Sequence, residues 1–78
     1  MTNKKQNIVE IDVRELPPPE PMTNIISALA KLEKNTTLLV IHNRQPFPLY
    51  EKLRQAGWTY HCTNIKDDLF HIHIFQQT

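Results

Sequence analysis

The sequence predicts an α+β fold, a two-layer sandwich in which two helices cover one face of a four-stranded sheet. Three observations carry that expectation. A period-two apolar pattern opens the chain. Two patterns of three-and-four spacing follow, with a continuous apolar run between them. Two further strand-like runs close the chain around a charged turn. The element order is therefore β-α-β-α-β-β. Two short crossover helices with right-handed connections fall on the same side of one sheet and leave its other face open.

Each element has its own signal. From Asn7 to Val13, apolar Val9, Ile11 and Val13 alternate with Glu10 and Asp12, the pattern of a half-buried strand. Four prolines among Pro17, Pro18, Pro19 and Pro21 then exclude interior strand or helix, because proline fixes φ and donates no backbone hydrogen bond. Such a segment forms a rigid loop that ends where proline is tolerated, in the first turn of a helix. Over Pro21 to Glu33, Met22, Ile25, Ile26, Leu29 and Leu32 build one apolar helix face. Asn35 is placed to take a left-handed stop. Leu38 to Ile41 is uninterrupted apolar sequence, as a central strand buried on both faces requires. Asn43 to Phe47 reads as a loop, and Pro48 opens a second helix that turns Leu49, Leu53 and Ala56 inward. Gly57, the only glycine, stands where a helix C-terminus needs positive φ. Trp58 to Ile65 and Leu69 to Gln76 are the last two strands.

Composition narrows the function classes. With 78 residues the chain holds a single domain, placed at 7–78 behind a flexible segment at 1–6. A chain of this size buries about 60–65% of its unfolded surface, so its stability is modest. Net charge is +1 with no basic stripe, which argues against nucleic-acid binding. No apolar run approaches membrane-spanning length, and Met1 to Asn7 lacks the apolar segment of a signal peptide. One cysteine forms no internal disulfide. These features together predict a cytoplasmic protein without membrane or nucleic-acid partners, as a monomer or weak homodimer.

The order Asp12-x-Arg14-x-Leu16-x-x-Pro19-Glu20-Pro21 resembles the signature of the TusA/SirA/YedF family of small sulfur-carrier-like proteins. The resemblance implies a mixed sheet of strand order 1-2-4-3. In that family a sulfur-carrying cysteine typically stands just before the Pro-x-Pro, at the N-terminus of the first helix, where dipole and free N–H groups favour a thiolate. Pro18 occupies that position here, so sulfur relay through it is chemically closed. Glu15 also replaces the glycine usual between Arg and Leu. The triple proline, with Pro46-x-Pro48-Leu49-Tyr50, looks closer to a cysteine-less, uncharacterised branch of the superfamily, sometimes joined to hemerythrin-like domains in bacteria.

Three sets of residues carry candidate chemistry. The first is the exposed loop with Arg14, Pro18, Pro19 and Glu20, together with Arg44 before the second helix, as a surface for a protein partner or small ligand. The second is Cys62, the only thiol; a lone cysteine in a strand ordinarily behaves as a small buried hydrophobe and does not replace the carrier cysteine. The third is His61, His71 and His73. His71 and His73 share a strand face because they lie two apart. A three-residue hairpin loop, Lys66 to Asp68, pairs Ile65 with Leu69 and sets His61 opposite His73 and Thr63 opposite His71. It also turns Trp58, Tyr60 and Cys62 toward the core beside Phe70, Ile72 and Ile74. A two-residue loop, Asp67-Asp68, would instead move Tyr60 and Cys62 to the histidine face; aromatic burial favours the first register. Three imidazoles on one open face can serve zinc, nickel or iron, although strand alternation alone also places polar residues there. His42, ending the second strand, is expected at the surface near the loops.

The leading expectation is thus a non-enzymatic binding or adaptor module working through its proline loop, with no resident cofactor. A metal-binding or redox-sensing module on the histidine face, holding a divalent transition metal weakly, is one alternative. A docking partner in sulfur transfer is the other.

Overall fold

Alternation, apolar run and proline placement in the sequence translate directly into six elements: β1 (Asn7–Asp12), α1 (Glu20–Ala30), β2 (Thr36–His42), α2 (Phe47–Gln55), β3 (Thr59–Lys66) and β4 (Leu69–Phe75). The structure is a computed structural model and describes residues 7–76. The expectation of a flexible segment at 1–6 lies outside the described residues. The four strands form one sheet in the order β1-β2-β4-β3. β1 runs parallel to β2, and β4 lies antiparallel between β2 and β3.

Register assigns every strand residue to a face. On the helix side, Val9 lies beside Leu38, Leu38 beside Ile74, and Ile74 beside Tyr60; the next row runs Ile11, Val40, Ile72, Cys62. Ile25 and Leu29 of α1 and Leu49, Tyr50 and Leu53 of α2 complete this core, with Val13 at its loop end. Both helices therefore cover the same face. β2 is buried almost throughout, as a central strand must be.

Several expectations require correction. The first helix ends at Ala30, where the N–H groups of Lys31 and Leu32 turn to the carbonyls of Ala28 and Leu29; Leu32 packs on the core from beyond the helix end. Ile26 is 41% exposed, because it stands a quarter-turn away from Ile25 and misses the narrow sheet. Ala56, expected inward, caps α2 and is exposed. Asn35 (φ 61°) and Gly57 (φ 86°) do take the left-handed conformation.

The last hairpin combines features of both loop readings. Its turn is the two-residue Asp67-Asp68, and Lys66, not Ile65, faces Leu69. Ile65 is an extra residue in β3, a bulge that restores the register expected of the longer loop. His61 consequently lies opposite His73, and Thr63 opposite His71. The Asn64 side-chain amide fastens the bulge by donating to the carbonyls of Lys66 and Leu69.

Candidate functional site

Parallel pairing of β1 and β2 brings the two loops that follow them to the same end of the sheet, the end at which both helices begin. The first loop leaves the sheet when the N–H of Val13 donates to the carbonyl of Ile41, one step beyond β1. It then turns at Leu16, whose N–H reaches the carbonyl of Val13, and enters α1 with the N–H of Glu20 on the carbonyl of Pro17. The Pro18–Pro19 peptide bond is cis. Pro17, Pro18, Pro19 and Glu20 are all exposed, whereas Pro21 is buried against the core. The second loop carries Asn43, Arg44 and Gln45 to α2, and Phe47 at its entry is 66% exposed. The loops are joined: the side-chain amide of Asn43 donates to the main-chain carbonyl of Arg14 at 3.2 Å.

Part of the charge at this end is paired within the chain. Arg14 wraps back on Asp12, its Nε donating at 2.9 Å and its Nη2 at 2.7 Å, while its backbone N–H donates to the same carboxylate. The guanidinium holds the Asp12 carboxyl below its ordinary pKa, and the Arg14 pKa rises in return. Arg14 is thus paired within the chain while its side chain stays half-exposed at the surface. Glu20 puts a negative charge in the first turn of α1, where an anionic ligand would otherwise be favoured. Arg44 is exposed and has no ion pair among the described residues. The end that results exposes Pro17, Pro18, Pro19 and Phe47 together with the charges of Glu15, Glu20 and Arg44.

No nucleophile stands in this loop. Cys62 is half-buried on the helix side of β3, in a row with Ile72 and Val40. Tyr50 lies above it and stacks on Tyr60 with ring centroids 4.3 Å apart. Burial, then the neighbouring Cys62 and Tyr60, pushes the Tyr50 hydroxyl well above its ordinary pKa, and that hydroxyl donates to Gln45 Oε1.

The histidines divide between the two faces. His61, His71 and His73 lie on the face away from the helices, His61 exposed and the other two half-buried. Glu10 and Asp12 share that face but are separated from the histidines by Leu39 and Ile41 of β2. Among the described residues, no three His, Cys, Asp or Glu side chains come together to hold one metal ion. The three-imidazole centre is therefore not assembled. His42 corrects the expectation of a surface histidine: it has the parity of Leu38 and Val40, faces the helix side and is 5% exposed. Burial lowers its pKa, Arg44 adds to that, and its contact with Asn43 opposes them.

The model of one protein family, described as "Uncharacterized conserved protein (DUF2249)", matches residues 10–76. The chain belongs to this family. No curated protein and no solved structure matches it.

The matched span of this DUF2249 member runs from β1 to the end of β4 and so includes both loops and all four histidines. Two residues that shape the loop end, Tyr50 and Asn43, were not singled out from the sequence, and a third, His42, was placed at the loops but on the surface. His42 was legible from strand parity with Leu38 and Val40. Tyr50 was legible from its place beside Leu49, three residues before Leu53. Asn43 carried no signal, because its partner Arg14 lies 29 residues away. A groove of about 600 Å³ between α1 and β1, floored by Val9, Ile11, Ala28 and Leu32, likewise had no sequence signature. No helix among the described residues is long and apolar enough to cross a membrane.

Proposed function

We propose that this DUF2249 domain is a non-enzymatic, TusA-like binding module of the cytoplasm that engages a protein partner through the loop end of its sheet. The observation that carries the reading is the pairing of two exposed loops, Pro17 to Glu20 and Asn43 to Phe47, tied to each other through Asn43 and Arg14. Proline-locked loops lose little entropy on binding, and an exposed aromatic beside them supplies the apolar area that protein contacts use. The element order and strand order are those that the TusA resemblance implies, which supports placing the loop where relatives carry their cysteine. With Pro18 in that place the loop retains a surface and no sulfur chemistry. A role as docking partner in sulfur transfer falls within this reading, with the desulfurase or carrier as the bound protein.

The test is affinity capture with the intact chain, run in parallel with Glu20→Lys and Phe47→Asp variants whose circular dichroism matches the parent. The expected result is a defined partner, chemically cross-linked beside the Pro17 or Arg44 loop, that both variants lose. A partner retained equally by both variants, or cross-linked only elsewhere on the sheet, refutes the reading.

A further inference from the structure

We propose that His61 and His73 form a two-imidazole chelate for a divalent transition metal ion on the uncovered face of the sheet. The site is separate from the loop end and independent of the binding role given to it.

Register supplies the geometry. The two histidines are directly opposed on antiparallel neighbours, β3 and β4. Opposed residues have Cβ atoms about 4.5–5.5 Å apart and point to the same face, a separation from which two imidazole nitrogens reach a single ion. The bulge at Ile65 fixes this pairing, since without the extra residue the same two-residue turn would send His61 to the other face. His71 is two residues from His73 and opposite Thr63, so it stands on the diagonal from His61. That diagonal is about 7–8 Å, which leaves His71 at the margin of the pair. Two protein ligands are thus the full set, and water fills the remaining positions.

The immediate surroundings are apolar and uncharged. Beside the pair on the same face lie Leu39 and Ile41, then Glu10 and Asp12; Thr59, Thr63 and Phe75 complete the neighbourhood on β3 and β4. Of the carboxylates, Asp12 is already paired with Arg14, and Lys66 shares the face beyond the Thr63–His71 row, so the pair's own nitrogens supply the attraction for a metal ion. Half-burial of His73 against Leu39 limits its rotamers, so less freedom is lost when the ion binds. Imidazole donors suit copper, nickel and zinc, and affinity should rise from manganese through cobalt and nickel to copper. Neutral imidazoles are required, so acid should release the ion.

Titration of the intact chain with zinc chloride and nickel chloride, followed by calorimetry and by histidine side-chain NMR, tests the site. The expected result is one ion per chain, with resonances of His61 and His73 shifting or broadening first and those of buried His42 unmoved. His61→Asn and His73→Asn should each weaken binding by about tenfold or more, at least the loss that follows removal of an outer-shell partner, while His71→Asn weakens it less. His61 is exposed, so its variant folds and keeps the test decisive even if His73→Asn does not. Unchanged affinity in His61→Asn, or equal perturbation of all four histidines, overturns the proposal.

Discussion

Asn43 donates its side-chain amide to the main-chain carbonyl of Arg14 at 3.2 Å, across 29 residues of chain. This single bond makes one surface of two loops. Replacing Asn43 by Ala should lower stability by about 0.5–1.5 kcal/mol, the net worth of such a bond, since water reaches both groups once it is gone. The larger effect should be local: amide exchange of Glu15 and Leu16 should quicken while that of Leu38 and Ile72 stays at the global rate. Uniform acceleration, or none, would mean that the bond does not couple the loops.

Acid should weaken the fold through His42. Its Nδ1 lies 3.0 Å from the backbone N–H of Asn43, from which it accepts when unprotonated, and 3.3 Å from the Asn43 side-chain oxygen, to which it donates when protonated; burial outweighs the second contact. Burial lowers the His42 pKa below its ordinary 6.5, so between that value and the folded pKa the unfolded chain binds more protons than the native one. Stability from this group is therefore complete above pH 6.5 and is lost as pH falls through the window below it. Urea midpoints measured from about pH 7.5 to about pH 5, a range that brackets the ordinary histidine pKa, should fall more steeply for the parent than for His42→Gln. Parallel curves for the two proteins would remove His42 from the account.

Helix α1 offers a direct comparison of buried and exposed apolar residues. Leu29 is 6% exposed within the core and Ile26 is 41% exposed. Leu29→Ala should cost about 2–4 kcal/mol through the cavity it opens, and Ile26→Ala less than about 1 kcal/mol. Equal urea midpoints for Leu29→Ala and the parent would contradict the packing described.

Local chemistry explains why so much of the fold was readable. Period-two and three-and-four patterns reflect burial on one face, so they located all six elements to within a few residues. Proline placement set both helix starts, and the left-handed stops at Asn35 and Gly57 follow from backbone sterics alone. What could not be read depends on contacts distant in the chain. The end of α1 at Ala30 lies where the N–H groups of Lys31 and Leu32 turn onto Ala28 and Leu29, although the apolar pattern continues to Leu32, and Ile26 is exposed because only part of the apolar helix face meets the sheet. Asn43 and Arg14 meet only because β1 and β2 are parallel neighbours. Loop length alone left the histidine register open, because a two-residue turn puts His61 on opposite faces with and without a bulge in β3.

That bulge is itself a target. Asn64 donates to the carbonyls of Lys66 at 2.9 Å and Leu69 at 3.2 Å, and Asp68 holds φ at 60°. Asn64→Ala should cost about 1 kcal/mol by freeing those carbonyls to water, and Asp68→Gly should be neutral or slightly stabilising because glycine takes positive φ without a steric penalty. Cross-strand NOEs between His61 and His73 should weaken in Asn64→Ala if the bulge holds the register. Their full retention, with unchanged stability, would show that the strands alone hold it.

The chemistry of Pro18 and Cys62 leads to the last prediction, that the chain accepts no persulfide sulfur from a cysteine desulfurase. Transfer needs a thiolate that reaches the donor persulfide, and Cys62 is the only thiol in the chain. It sits half-buried in the middle of β3 among Ile72, Tyr50 and Tyr60, away from either helix N-terminus. Mass spectrometry after incubation with desulfurase and cysteine should show the unmodified mass. Stable sulfur on Cys62 that disappears in Cys62→Ser would refute the prediction. The converse substitution, Pro18→Cys, sets a thiol in the exposed loop just ahead of α1, where solvent and reagent reach it although Glu20 opposes its ionised form. Alkylation at neutral pH should therefore be faster at the new thiol than at Cys62. If Cys62 reacts first, its packing beneath Tyr50 is looser than described, and the exclusion of sulfur transfer loses its structural basis.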